Sequence, residues 1–239
     1  VKSNTISTDY TWLGDFPKMK EWIGDRAVQD LTAHKYTITK KRFELTIGMD
    51  RDFIIYDNLG MVKPRIQQMA HDGRTHYDEL IFPLLEGNGT CYDGKAFFAT
   101  DHKVGTKNVS NLGDLPLTQA NFLSTRASMM NQKGENGKKL GVKPNIIVVP
   151  AALEAVALRL FKADQIDGSS NITKDMVEIL VIADLTDDKA WYLMDTSRPL
   201  KPLVLQINKP IEFTAMDKAD DEAVFTRAEF RYGLDSEDN

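Results

Sequence analysis

The sequence predicts an α+β fold. Three observations point that way: apolar and polar residues alternate with period two over residues 35–49, the spacing turns helical from Asn58 to Gly87, and the last third holds mostly short strand-like runs. With 239 residues, 42% hydrophobic and 27% charged, the chain has room for one large domain or two small ones around a sizeable core.

Taken in order, residues 35–49 place Tyr36 and Ile38, then Phe43, Leu45, Ile47 and Met49, between polar neighbours, which argues for extended strands with one apolar face. The basic trio Lys40, Lys41 and Arg42 interrupts that alternation, as a hairpin tip or a charge-guarded strand edge does, so the segment is expected to project. From Asn58 the apolar positions Leu59, Val62, Ile66, Met69, Gly73, Tyr77, Leu80 and Leu84 recur at steps of three and four, the spacing of one helix face. Pro64 suits a first helical turn and Glu86-Gly87-Asn88-Gly89 a C-terminal stop. A helix of roughly 20 residues follows, kinked or ended near Pro83, where an interior proline removes one hydrogen bond.

A turn-rich stretch spans residues 87–114. Thr118 then caps a helix presenting Phe122, Leu123, Ala127 and Met130, which the glycine-rich residues 133–137 end. Asn145-Ile146-Ile147-Val148-Val149 is a continuous β-branched run, expected as a strand buried on both faces, and Pro150 opens a helix through Leu153, Val156, Ala157, Leu160 and Phe161. Further strands are expected at residues 177–183, 190–194, 203–207 and 224–232, separated by turns such as residues 184–188. There is no internal repeat and no low-complexity tract.

Composition narrows the function classes. No apolar run approaches the roughly 18 residues of a membrane span, and no signal segment opens the sequence, so a soluble protein without membrane contact is expected. The single cysteine, Cys91, excludes an internal disulfide and fits a reducing compartment. A net charge of -5 argues against nucleic acid as the obvious ligand. The start at Val1 and the acidic stop at residues 235–238 lead to the expectation that both ends are incomplete.

Candidate chemistry is sparse. Cys91 with His102 and either Asp93 or Asp101 offers a nucleophile, a base and an orienting group, but packing explains a lone cysteine beside Tyr92 better. His71 and His76 lie five apart, about 140° around a helix, and cannot share a metal; His71 with Asp78 falls short of a closed site. Residues 134–141 superficially resemble a phosphate loop, yet the gap before Gly-Lys is wrong and no Ser or Thr follows the lysine, so a basic surface loop is the better reading. No catalytic residue, cofactor or metal is predicted. Trp12 and Trp22 stand out, because a short N-terminal arm cannot bury two indoles by itself: they either fold back on their own core or anchor an interface.

The opening Trp12-Leu13-Gly14, Met19, Glu21-Trp22, Gly24 and Arg26 resembles the start of the Mu-like prophage major head proteins. Further similar strings are residues 43–47 leading to Arg51-Asp52, residues 93–102, and residues 144–154. The order of arm, projecting hairpin, long helix, α/β module and returning strands resembles the Hong Kong 97-like fold of tailed-phage major capsid proteins across nearly the whole chain. The resemblance implies residues 1–48 as N-terminal arm and extended loop, 49–114 as a peripheral domain with its spine helix, 115–208 as an axial domain, and 209–239 as strands returning to the peripheral domain.

It further implies a non-enzymatic major capsid subunit that self-assembles into hexamers and pentamers of an icosahedral phage or prophage shell. Such a subunit resides in the virion after assembly in host bacterial cytoplasm, its partners being its own copies, scaffold or other head proteins, and packaged DNA by non-specific contact. On that reading Trp12, Trp22, Tyr36, Ile38, Phe43, Leu45 and Ile47 are the intersubunit contact candidates. The alternatives are a nanocompartment shell of the same fold enclosing a cargo enzyme, and an unrelated cytoplasmic hydrolase using Cys91 and His102.

Overall fold

The computed structural model describes residues 1–13, 33–56, 60–105, 107–134, 137–198 and 201–239. In chain order the elements are β1 (Ser7–Leu13), β2 (Ala33–Thr39), β3 (Lys41–Asp50), α1 (Arg51–Ile55), α2 (Val62–Gly87), β4 (His102–Val104), β5 (Lys107–Val109) and α3 (Gln119–Asn131). There follow β6 (Ile146–Pro150), a 3-10 turn (Ala151–Leu153), α4 (Glu154–Phe161), β7 (Gln165–Ile166), β8 (Ser169–Ser170), β9 (Glu178–Ile182), β10 (Tyr192–Met194), β11 (Ile207–Met216), α5 (Glu222–Arg227) and β12 (Glu229–Asp238). Helices and sheets coexist as an α+β arrangement in two compact units, one made of Val1–Tyr10, Thr37–Ile81 and Val204–Asn239, the other of Thr11–Tyr36 and Phe82–Leu203.

The first unit is built on the antiparallel sheet β11-β12-β3. All ten residues of β3 pair with β12, from Lys41 opposite Asp238 to Asp50 opposite Glu229. Of the two expectations for residues 35–49, the projecting hairpin does not form, whereas a strand edge carrying Lys41 and Arg42 does, β3 being the outer strand of this sheet. The segment divides at Lys40: β2 pairs with β1 in a two-stranded sheet, while β3 joins the sheet of the first unit. The basic trio sits at this division, where Lys40 and Arg42 both meet Glu237 on β12.

Residues 62–81 of α2 lie against this sheet at glycine. A Cβ on Gly73 would come within 2.8 Å of Leu234 Cδ1 and 3.7 Å of Ile211 Cγ2, so the missing side chain lets helix and strands approach. The helix does not end near Pro83; it runs 26 residues to Gly87. Proline forfeits one hydrogen bond, and the last turn is held instead by Leu85, buried in the second unit, and by Glu86, which accepts from the backbone N–H of Thr186 and Asp187 and the Thr186 hydroxyl. The buried stripe also turns at its end: Leu85 is buried while Leu84, expected there, is half exposed.

The second unit centres on β6, which lies between β10, antiparallel, and β9, parallel. Alternation along β6 feeds two cores. Ile147 and Val149 pack with Leu117, Phe122, Ala157, Leu160, Phe161 and Val177, and Val148 packs with Leu85, Ile182 and Leu185. A strand buried on both faces is what the continuous β-branched run predicts. Thr118 caps α3 as expected, its hydroxyl accepting from Asn121 N–H at 3.2 Å, a bond worth about 1 kcal/mol.

Two expectations near the C-terminal end are corrected. No strand covers residues 203–206; β11 begins at Ile207 and carries Pro210, with register shifts against β12 on either side of Lys209. Proline is tolerated because β11 is an edge strand whose ladder is already broken there. Residues 224–227 form helix, not strand. Acidic Asp221 and Glu222 open α5, Ala223 and Val224 are buried, and Ala228 closes the turn in the left-handed region at φ 52°, its N–H donating to the carbonyls of Ala223 and Val224.

Candidate functional site

Among the described residues no set gathers as an active centre. Trp12 lies on β1, and Trp22 falls outside the described residues. Tyr36 on β2 is 47% exposed, whereas Ile38 is buried. Phe43 meets the ring of His76 edge-on at 4.6 Å, and Leu45, Ile47 and Met49 line a groove with Met61, Arg65, Gln68 and Met69. The apolar face of β3 is therefore covered in part by α2 of the same chain, which the period-two pattern alone did not reveal.

Beneath that face lies a buried polar pair. Asp238, fully buried, accepts from His76 Nε2 at 3.2 Å through Oδ1, and its Oδ2 has no partner among the described residues. Nearby, the fully buried Gln206 accepts from the Tyr10 hydroxyl at 3.0 Å, and burial pushes the Tyr10 phenol up.

Sequence reading missed an apolar end to the sheet. β3 runs into α1 and β12 emerges from α5 at the same end, Arg51 N–H donating to Ala228 O at 2.8 Å. This end exposes Phe53 at 55%, Ile55 at 59%, Tyr56 at 71% and Phe225 at 83%. Four large exposed apolar side chains on the segments flanking one end of a sheet are uncommon on a surface that meets only water. The available signal was the string Phe53-Ile54-Ile55-Tyr56 directly after the Asp50 cap, too short to show a period.

The Cys91 and His102 arrangement does not form a nucleophile and base. Both His102 nitrogens are engaged elsewhere, Nδ1 with Asp93 at 2.6 Å and Nε2 with the Phe97 carbonyl at 3.1 Å. Burial pushes the Cys91 thiol up, away from the reactive thiolate. What the pair does instead is staple a loop: Asn88 and Asn111 side chains bond the backbone of Phe97, Phe98 and Ala99, and Lys95 pairs with Asp101 at 2.5 Å. Among the described residues no group of three or more His, Cys, Asp or Glu could hold a metal ion, and no helix is long and apolar enough to cross a membrane.

The staple has a pH signature. In His102 burial opposes the charge, but the bonds to Asp93 and the Phe97 carbonyl prevail and raise its pKa above the ordinary 6.5. In Asp93 burial likewise opposes the charge, and the bonds from His102 and Lys95 N–H prevail, lowering it below 3.8. The histidine contribution is complete below 6.5 and fades as pH rises through the folded value; the carboxylate contribution is complete above 3.8 and fades as pH falls through the folded value. Amide exchange at Phe98 and Ala99, corrected for intrinsic rate, should therefore be slower at about pH 5.5 than at about pH 8.5, and His102→Gln should remove the difference. A pH-independent rate in the unsubstituted chain would show the staple does not form.

Comparison with known proteins decides the family. The Mu-like prophage major head subunit gpT family matches residues 1–115, 113–185 and 182–239, the length of the chain. The chain belongs to this family. It is 32% identical over 241 residues to the Mu-like prophage FluMu major head subunit of Haemophilus influenzae, covering 100% of this chain and 59% of that protein. It is also 32% identical over 235 residues to the major capsid protein of Escherichia phage Mu, covering 98% of this chain and 57% of that protein. This gpT-family chain thus spans little more than half the length of either relative.

Among solved structures, the capsid of bacteriophage JBD30 is similar with a TM-score of 0.68 at 28% identity, over 77% of this chain and 87% of that one. The capsid of the native GTA particle, at 9% identity and a TM-score of 0.60 over 100% of this chain and 82% of that one, shares the fold alone. The α+β architecture of this gpT-family chain is the Hong Kong 97-like capsid fold.

Proposed function

We propose that the chain is a shell-building major head subunit, which self-associates into hexamers and pentamers of an icosahedral phage or prophage shell and encloses DNA. The observation that carries this reading is the family match along the whole chain, joined to the capsid fold of the JBD30 relative. Its work is done by surfaces, and the reading assigns it no catalysis, cofactor or metal. Its place is the virion, and its main partner is its own copies; scaffold or other head proteins and packaged DNA are further partners.

On this reading residues 1–48 act as arm and extended loop, of which 41–48 already pair with β12 in the single chain, 49–114 and 209–239 as the peripheral domain, and 115–208 as the axial domain. Ring closure needs heterologous contacts, in which different patches of neighbouring copies meet. The contact candidates exposed for that are Tyr36 and the end formed by Phe53, Ile55, Tyr56 and Phe225; Trp12 and Trp22 are candidates from the sequence alone. Ile38, Phe43, Leu45 and Ile47 act more as support, being buried or partly covered by their own chain.

Light scattering across a concentration series of the full-length protein tests this. Rings or larger closed species should grow with concentration, and Phe225→Ala combined with Tyr56→Ala should shift that growth to higher concentration without unfolding the chain. A strictly monomeric protein at every concentration and salt, with other head proteins present, would count against the reading.

A further inference from the structure

The second unit carries a concentrated positive patch that the reading above leaves unused. Residues 132–143 and 195–201 hold six cations, Lys133, Lys138, Lys139, Lys143, Arg198 and Lys201, against two acids, Glu135 and Asp195, a local net charge of +4 in a chain of net -5. The fold ties them together. After α3 the chain makes a tight hairpin in which Lys133 bridges Lys139, Gly134 N–H donates to Lys138 O and Leu140 N–H donates to Gln132 O, each at 2.9 Å. Gly137, with φ +70°, permits its turn. Arg198, arriving after β10, donates to Leu140 O and so fastens the hairpin to the entrance of β6, where Lys143 N–H donates to Asp195 Oδ2 at 2.9 Å.

Asp195 offsets one of the six cations and leaves the patch positive. Burial opposes its charge, but bonds from Ser197, Lys143 N–H and Arg198 hold its pKa down to about 2, and all are spent locally. Lys133, Lys138, Lys139, Lys143 and Lys201 remain exposed.

We propose that this patch binds the phosphate backbone of double-stranded DNA, independently of sequence. Three features of the patch select that partner. The exposed cations are lysines, compact charges that suit phosphates spaced along a strand; Lys139 Nζ donates to Asn131 Oδ1 and Lys201 Nζ to the Thr196 carbonyl, neutral acceptors that leave the charge in place, and the Arg198 guanidinium is bonded to Leu140 O and Asp195. No aromatic residue occurs in either segment, so unpaired bases have nothing to stack on, and a duplex fits better than a single strand. Glycines 134, 137 and 141 let the lysines adjust to a backbone whose position is not fixed. The inference deepens the shell-subunit reading and rests on it for the source of the DNA.

The test is fluorescence anisotropy of a short random-sequence DNA duplex titrated with the full chain at several salt concentrations. Each lysine engaged on a phosphate contributes about -0.9 to the slope of log K against log salt, so five predict a loss of about 10²–10³-fold between 50 and 200 mM salt. Lys133→Ala, Lys138→Ala, Lys139→Ala and Lys143→Ala together should reduce the slope by about 3–4, and Lys143→Ala alone by about 0.9. The matched control, Lys40→Ala with Lys41→Ala and Arg42→Ala, should change it by less than about 1. Equal losses in the two sets, or no duplex binding at 50 mM salt, overturn the proposal. So does a patch variant that keeps duplex binding but no longer assembles, which would assign the lysines to an acidic protein surface. Because the assay needs no assembled shell, a chain that assembles without binding duplex defeats this inference alone, and a chain that never assembles defeats the shell reading.

Discussion

Phe122→Ala is expected to lower the unfolding free energy by about 3–5 kcal/mol, measured by urea denaturation. Phe122 has no exposed surface and packs edge-on to Phe161 at 4.7 Å, with Ile147, Val149, Ala157 and Leu160 around it. Two terms add: the transfer of a buried ring lost from the core, and a cavity that β6 and α4 cannot close without breaking the strand pairing on either side of β6. Phe225→Ala is the contrast. That ring is 83% exposed, so its removal should change stability by no more than about 0.5 kcal/mol while weakening assembly. If the two substitutions destabilised the chain equally, Phe122 would not occupy the centre of the second unit.

His76→Ala should cost about 1–3 kcal/mol, by leaving the buried Asp238 Oδ1 without its bond. The carboxyl of Asp238 is fully buried and its Oδ2 already lacks a partner among the described residues, so His76 Nε2 is the bond that makes burial tolerable. Losing the histidine leaves both oxygens unpaired in a low-dielectric site. Replacing both residues, His76→Leu with Asp238→Leu, removes the polar atoms instead of orphaning them and should recover most of the loss. The same denaturation experiment decides this, and a double variant as unstable as His76→Ala would mean the pair is not an isolated unit.

How much of this was legible depended on whether local pattern and tertiary partner agreed. The run Ile146-Ile147-Val148-Val149 needs burial on both faces, and the fold supplies it with two cores; Thr118 marks its helix start because a hydroxyl must satisfy a free N–H. Residues 36–49 alternate cleanly, yet alternation reports a face, not a partner, and the partner of β3 lies some 190 residues away in β12. The helix through Pro83 was illegible because its last turn is held by bonds from Thr186 and Asp187 to Glu86. The strand expected over residues 203–207 instead begins at Ile207 and runs through Pro210, which an edge strand tolerates, and Val224-Phe225 form a short helix from strand-like residues.

The exposure of the proposed contact residues was legible only in part. Tyr36 is exposed as a contact residue should be, but Phe43 and Ile47 serve α2, and Phe225, the most exposed large hydrophobic residue among those described, sits in a segment read as strand. The basic loop at residues 133–139 was visible as charge, whereas its union with Lys143, Arg198 and Lys201 requires β6 and β10 to be adjacent.

The central claim, that the chain builds a closed shell, is tested most directly by electron microscopy of the full-length protein at high concentration. Closed particles of uniform diameter, composed of rings with sixfold and fivefold symmetry, are the predicted result. Dispersed monomers, or open aggregates without ring symmetry even with the other head proteins supplied, would contradict it.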